Sequence, residues 1–143
     1  MKKTIFLFAV LISLSAVAAT PPEVTEKIEK AFKATFAQAE NVNWLQMDEK
    51  YQACFTISEV QVRAVYDTDG KLLKTIKYYE ESKLPSIILA KLKENNPGKE
   101  VFGVTEIATD AEISYHIVLK CEKNWYWMKS DPLGNMELTQ KLK

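Results

Sequence analysis

Few side chains in this sequence have the types and spacing that covalent or metal chemistry needs. A thiol and an imidazole, Cys54 and His116, could form a nucleophile and base, but such a pair needs hydrogen-bond contact and a third group to orient the base. Nothing in the sequence places their two segments side by side, so a cysteine-dependent enzyme ranks behind the alternatives. His116 is the only histidine, which removes metal sites built on two or more imidazoles. Asp67-Thr68-Asp69-Gly70 has the look of a calcium loop, yet the EF-hand requires a glutamate at its twelfth position, which here is Tyr78. It reads as a turn, with Gly70 supplying a positive backbone angle. Glu80 and Glu81 read as an acidic pair entering a helix. With four glycines in the chain and none in a rich loop before a helix, phosphate cradling is unsupported. No cofactor is implied. What remains is a binding chemistry, carried by Trp125 and Trp127 with Gln61, Arg63 and His116 around them.

Those residues sit in a pattern that occurs twice. Tyr51 to Leu73 contains two alternating strands and a turn, and a variant returns 64 residues later from Tyr115. Tyr51 matches Tyr115, Phe55 matches Leu119, Val62 matches Tyr126, and Asp67 to Gly70 matches Asp131 to Gly134. Each copy is preceded by a helical pattern. Thr20 to Glu23 has capping-box spacing, and Val24, Ile28, Ala31, Phe32, Phe36 and Ala39 recur at helical intervals. Ser82 to Asn96 is the second helix, with Pro85 in its first turn and Leu84, Ile87, Ile88 and Leu92 as its apolar stripe.

The expected strands run to Met47, then Tyr51–Ile57, Val60–Tyr66, Leu72–Tyr79, Val101–Thr109, Ile113–Lys120, Asn124–Lys129 and Met136–Leu142. The short Ser58-Glu59 link implies a hairpin. The fold class is therefore α+β: helix-β-β-β-β twice, a tandem repeat spanning about 20–80 and 81–143, with an antiparallel β-meander in each. Two helices cover only one face of such a sheet, and the other face is left open. Alternation puts Trp125 and Trp127 on that open face, together with Gln52, Thr56, Gln61, Arg63, Ser114, His116 and Val118. The bland alternative is that both indoles pack against their own chain.

The chain begins with the features of a secretory signal peptide at 1–19: Lys2 and Lys3, an apolar run from Ile5 to Leu14, and small residues at Ala16 to Ala19. Its removal leaves a single domain over 20–143, expected in the periplasm or secreted, without stable membrane insertion. The 19 positive and 19 negative side chains become 17 and 19 when Lys2 and Lys3 leave, so charge gives no reason to expect nucleic acid as a partner. Arg63 is the only arginine. An oxidising compartment permits a bridge between Cys54 and Cys121, while strand parity sets them on opposite faces and argues for free thiols.

The order of these features resembles the PepSY-like exported proteins, whose fold is similar to that of the β-lactamase inhibitor protein. The resemblance rests on Phe32 and Phe36, Val42-Asn43-Trp44, Tyr51 to Phe55, Asp67-Thr68-Asp69-Gly70-Lys71 and Leu84-Pro85. It implies a tandem helix-plus-sheet architecture and a binding or inhibitory role without enzymatic activity. In that inhibitor the open sheet face grips an enzyme and both repeats carry disulfides; one cysteine pair here departs from it. The expected function is a non-enzymatic module that binds a protein or peptide, as an inhibitor of a peptidase or another envelope enzyme. The alternative is a carrier of a small apolar ligand between helices and sheet. Exposed strand edges would also let two copies pair as a homodimer.

Overall fold

The computed structural model describes residues 22–143; the expected signal peptide and the Thr20 cap lie outside them. The first helix, α1 (Glu26–Thr35), starts later than its sequence signals suggest. Thr25, extended in backbone, caps it by accepting the Ile28 N–H at 3.4 Å. Four strands follow, β1 (Glu40–Met47), β2 (Lys50–Ile57), β3 (Val60–Asp67) and β4 (Leu72–Tyr79). A single 3-10 turn at Glu81–Lys83 leads to α2 (Ser86–Asn95), then β5 (Glu100–Thr109), β6 (Ile113–Cys121), β7 (Asn124–Ser130) and β8 (Met136–Leu142). Pro85 caps α2 rather than lying within it, because the residue before a proline resists helical backbone; Leu84 is extended, with ψ 142°.

All eight strands form one antiparallel sheet in chain order, β1 to β8. The Ser58-Glu59 hairpin has positive φ at both residues, 47° and 66°, the backbone of a turn whose twist matches its strands. One row across the sheet runs Phe55, Val62, Lys77, Glu106, Tyr115, and both helices lie on this side. The α1 residues Ile28 and Phe32 pack on Ala53, Phe55, Val62, Ala64 and Tyr66. From α2, Ile88 and Leu92 pack on Val104, Tyr115, Ile117 and Leu119. Phe32 meets Phe55 edge to face at 5.0 Å and Trp44 at 5.3 Å, a geometry that adds about 0.5–1.5 kcal/mol per pair beyond area burial. There are thus two cores, one under each helix. Between them, β4 packs Leu72 on the first core and Tyr79 on the second, and carries Thr75 and Lys77 on the helix side of its middle.

The turns after β3 and β7 dock onto the helices. Asp67 Oδ1 accepts the N–H groups of Asp69 and Lys71, both at 2.9 Å; Asp131 Oδ1 accepts those of Leu133 and Asn135, both at 2.9 Å. Gly70 lies against Lys27 of α1, and Gly134 against Ile87, Ile88 and Lys91 of α2. Lysines close both joints: Lys27 Nζ reaches Asp69 at 3.1 Å and Lys91 Nζ donates to the Leu133 carbonyl at 2.9 Å.

Candidate functional site

The side of the sheet away from the helices is built from the other strand parity. Gln61, Tyr78, Thr105, His116 and Lys129 form one row across β3 to β7, and Arg63, Ile76, Ile107 and Ser114 form the next across β3 to β6. Trp127 pairs with Val118, and Trp125 with Lys120. Both indoles are half-buried. They stand on the helix-free side, as alternation requires.

All five sequence-selected residues share this face but fall into two groups. Gln61 and Arg63 are exposed on β3, and the Arg63 guanidinium lies 5.3 Å from the Tyr78 ring centroid. His116, Trp125 and Trp127 lie on β6 and β7. The Arg63 and Trp127 strands are separated by four inter-strand spacings, about 19 Å, so a ligand touching both must lie across the sheet. His116 is half-buried, with Nε2 3.3 Å from Ser114 Oγ. Gln52 and Ser114 are buried; Gln52 Nε2 donates to Cys54 Sγ, on the same face, at 3.2 Å.

The cysteine readings resolve plainly. Cys54 on β2 and Cys121 on β6 are free thiols on opposite faces, so the bridge allowed by an oxidising compartment is not made. Cys54 and His116 share the open face, but β2 and β6 are also about 19 Å apart, far beyond hydrogen-bond reach. Among the described residues no group of three His, Cys, Asp or Glu could hold a metal ion, and no helix is long and apolar enough to cross a membrane.

Two contributors to the face were missed in the sequence. Phe102 occupies an irregularity in β5 between Val101 and Gly103, and its ring meets Trp125 edge to face at 4.9 Å while the residue remains 68% exposed. A glycine inside a strand marks such a bulge, and a bulge re-aims its neighbour; Gly103 was that signal. Tyr78 was hidden by the mixed pattern of β4. Lys120 Nζ sits 5.6 Å from the Trp125 ring, so cations flank the aromatics at both ends of the face.

On the helix side, the uncovered stretch between the two cores forms a cleft of about 440 Å³ lined by Phe36, Ile57, Val60, Val62, Lys77 and Glu106, among others. Glu106 accepts from Lys77 Nζ at 2.8 Å and from the Tyr79 hydroxyl at 2.7 Å. Burial, then this hydrogen bond and the carboxylate charge, push the Tyr79 hydroxyl far above the usual tyrosine range. Lys83 borders the same cleft and donates to the Ser58 carbonyl at 3.0 Å.

No protein-family model matches the sequence, and no curated protein matches it. Solved structures do. A BLIP-like protein from Bacteroides fragilis NCTC 9343 aligns with TM-score 0.68 and 15% identity over 85% of this chain and 86% of that one. A DUF2874 family protein from Bacteroides ovatus ATCC 8483 aligns with TM-score 0.65 and 19% identity, covering 86% and 87%. A candidate periplasmic protein from Bacteroides eggerthii DSM 20697 aligns with TM-score 0.65 and 16% identity, covering 85% and 89%. At these identities the likeness is one of fold. The described residues have a BLIP-like α+β fold, two helices on one side of an eight-stranded antiparallel sheet.

Proposed function

We propose that this chain is an exported, non-enzymatic binding module that holds a protein or peptide on the open sheet face and inhibits a peptidase or another envelope enzyme. The observation that carries this reading is the aromatic group at the β5–β7 end of that face: Trp125 and Trp127 half-buried beside a largely exposed Phe102. Two tryptophans left partly in water, one with Lys120 beside its ring, have the composition of an interface hot spot. The separation of Cys54 from His116 favours binding over catalysis. Periplasmic or secreted residence fits the leader-like first 19 residues and the periplasmic label of one structural neighbour.

The same reading treats the chain as a PepSY-like tandem repeat, with units at about 20–80 and 81–143. It draws support from the element order, one helix then four strands, twice. Matching hydrogen bonds at Asp67 and Asp131, 64 residues apart, support it too. Cross-linking from native envelope fractions, using the unmodified protein beside a Trp125→Ala, Trp127→Ala variant, tests the face. A partner held by the unmodified protein alone supports it; equal capture by both moves binding elsewhere.

A second reading, a carrier of a small apolar ligand, is favoured by the cleft on the helix side. Its wall of Phe36, Ile57, Val60 and Val62 is apolar and suits an alkyl or aryl group.

A further inference from the structure

We infer that the helix-side cleft takes an amphipathic monocarboxylate, a medium-chain fatty acid or its like, with the chain against Phe36, Ile57, Val60 and Val62 and the carboxylate beside Lys83 and Lys77. This rests on the carrier reading of the cleft and specifies its ligand. The cleft lies between the cores under α1 and α2, where β4 contributes Lys77 and Tyr79 and Ser58 of the hairpin tip forms part of one wall. Its volume, about 440 Å³, falls in the range of about 300–1,000 Å³ common to small-molecule sites.

The charges select the head group. Two lysines and one carboxylate line the cleft. Glu106 is engaged at both oxygens, one by Lys77 and the other by Tyr79, and its side chain is 15% exposed. Lys83 has only the neutral Ser58 carbonyl as a hydrogen-bond partner, and no carboxylate lies within ion-pair distance of it among the described residues. The cleft therefore carries one uncompensated positive charge beside an apolar wall. A monoanion with an apolar tail complements both. An apolar molecule without a charge leaves Lys83 as it was, and an amine is repelled by it.

The test titrates the protein with octanoate, 1-octanol and octylamine while following amide NMR shifts. The expected result is that octanoate moves the amides of Ser58, Val62 and Lys77 and binds about threefold to fivefold more tightly than 1-octanol, as an exposed charge contact provides. Lys83→Gln, at an exposed position, should erase that preference and leave 1-octanol binding unchanged. Equal binding of octanoate and 1-octanol in the cleft would overturn the anionic ligand while leaving the carrier reading. Shifts confined to other residues, or no shift with any probe, would overturn both.

Discussion

Phe102 and Trp125 stand edge to face with ring centroids 4.9 Å apart, although Phe102 is 68% exposed. A pair held in that geometry at the surface contributes little to folding, because most of the phenylalanine area stays in water. Phe102→Ala should therefore change unfolding free energy by less than about 1 kcal/mol, while weakening partner capture by about tenfold or more if Phe102 belongs to the hot spot. Urea unfolding and a binding titration with the captured partner separate the two effects. A large stability loss with unchanged binding would assign the pair to packing.

Tyr66 shows the opposite imbalance. It is 1% exposed, and its hydroxyl finds no hydrogen-bond partner among the described residues. Burial alone pushes its pKa up to about 12. The folded value is above the unfolded one, so this group's contribution is complete below about pH 10 and is lost as pH rises toward 12. Tyr66→Phe removes an unpaired hydroxyl without removing the ring. It should be neutral or stabilising by up to about 1 kcal/mol at neutral pH and should flatten the alkaline fall in stability. Denaturant midpoints measured across that range check both parts, and a clear loss at neutral pH would mean that the hydroxyl has a partner.

The strands were legible because their patterns obey one rule at a time. Tyr51 to Ile57 and Val60 to Tyr66 alternate under α1 and were placed within a residue of their observed ends. The helix limits were less legible because the apolar stripe outlasts the helix. Val24, Phe36 and Ala39 all pack on the first core, yet the helix covers only Glu26–Thr35. On β4 the parity was unreadable for a physical reason: the strand lies between two helices, so neither face is uniformly buried. Open-face membership of Gln61, Arg63, His116, Trp125 and Trp127 followed from parity. Their division into two groups did not, because it depends on strand order across the sheet.

The turn glycines differ in what surrounds them. Gly98 has φ +73° with nothing near its missing Cβ, whereas Gly134 has φ +81° and a Cβ there would stand 2.8 Å from Lys91 Cδ and 3.4 Å from the Ile87 oxygen. Left-handed backbone costs an alanine about 1–2 kcal/mol, so Gly98→Ala should lose about that much. Gly134→Ala should lose about 1 kcal/mol more, since Lys91 must move and surrender the Leu133 carbonyl. In a Lys91→Ala background the excess should shrink. Urea unfolding of the unmodified protein, the Gly134→Ala and Lys91→Ala variants and their combination closes the cycle.

Asp131 ties the β7–β8 turn through its carboxylate. The Asn135 side-chain amide, then the backbone N–H groups of the turn, hold its carboxyl below the usual carboxylate range. A depressed folded pKa means the contribution is present above the unfolded pKa of about 3.9 and is lost as pH falls through the folded value. Asp131→Ala should thus be less stable than the unmodified protein near neutrality, and the gap should close once the pH falls well below the unfolded pKa. A gap that stays constant that far down would show that the carboxylate charge is not what secures the turn.

The two edges of the sheet are unlike. From Asn41 to Met47, β1 carries no charge and exposes Val42, Leu45 and Met47 at 37%, 50% and 44%, while β8 places Glu137 and Lys141 along its length. Charged side chains, lysine above all, are what keep a free strand edge from pairing with another chain. If two copies pair edge to edge, as the homodimer reading holds, β1 is the edge they use, and an uncharged strand is self-complementary about a two-fold axis. Leu45→Lys should then weaken self-association by an order of magnitude or more without lowering stability, because the residue is half exposed. Leu138→Lys on β8, at a residue 54% exposed, should leave association unchanged. Sedimentation equilibrium over a wide concentration range reads all three proteins; an unmodified protein that stays monomeric throughout, or equal effects of both lysines, would remove β1 as the pairing edge.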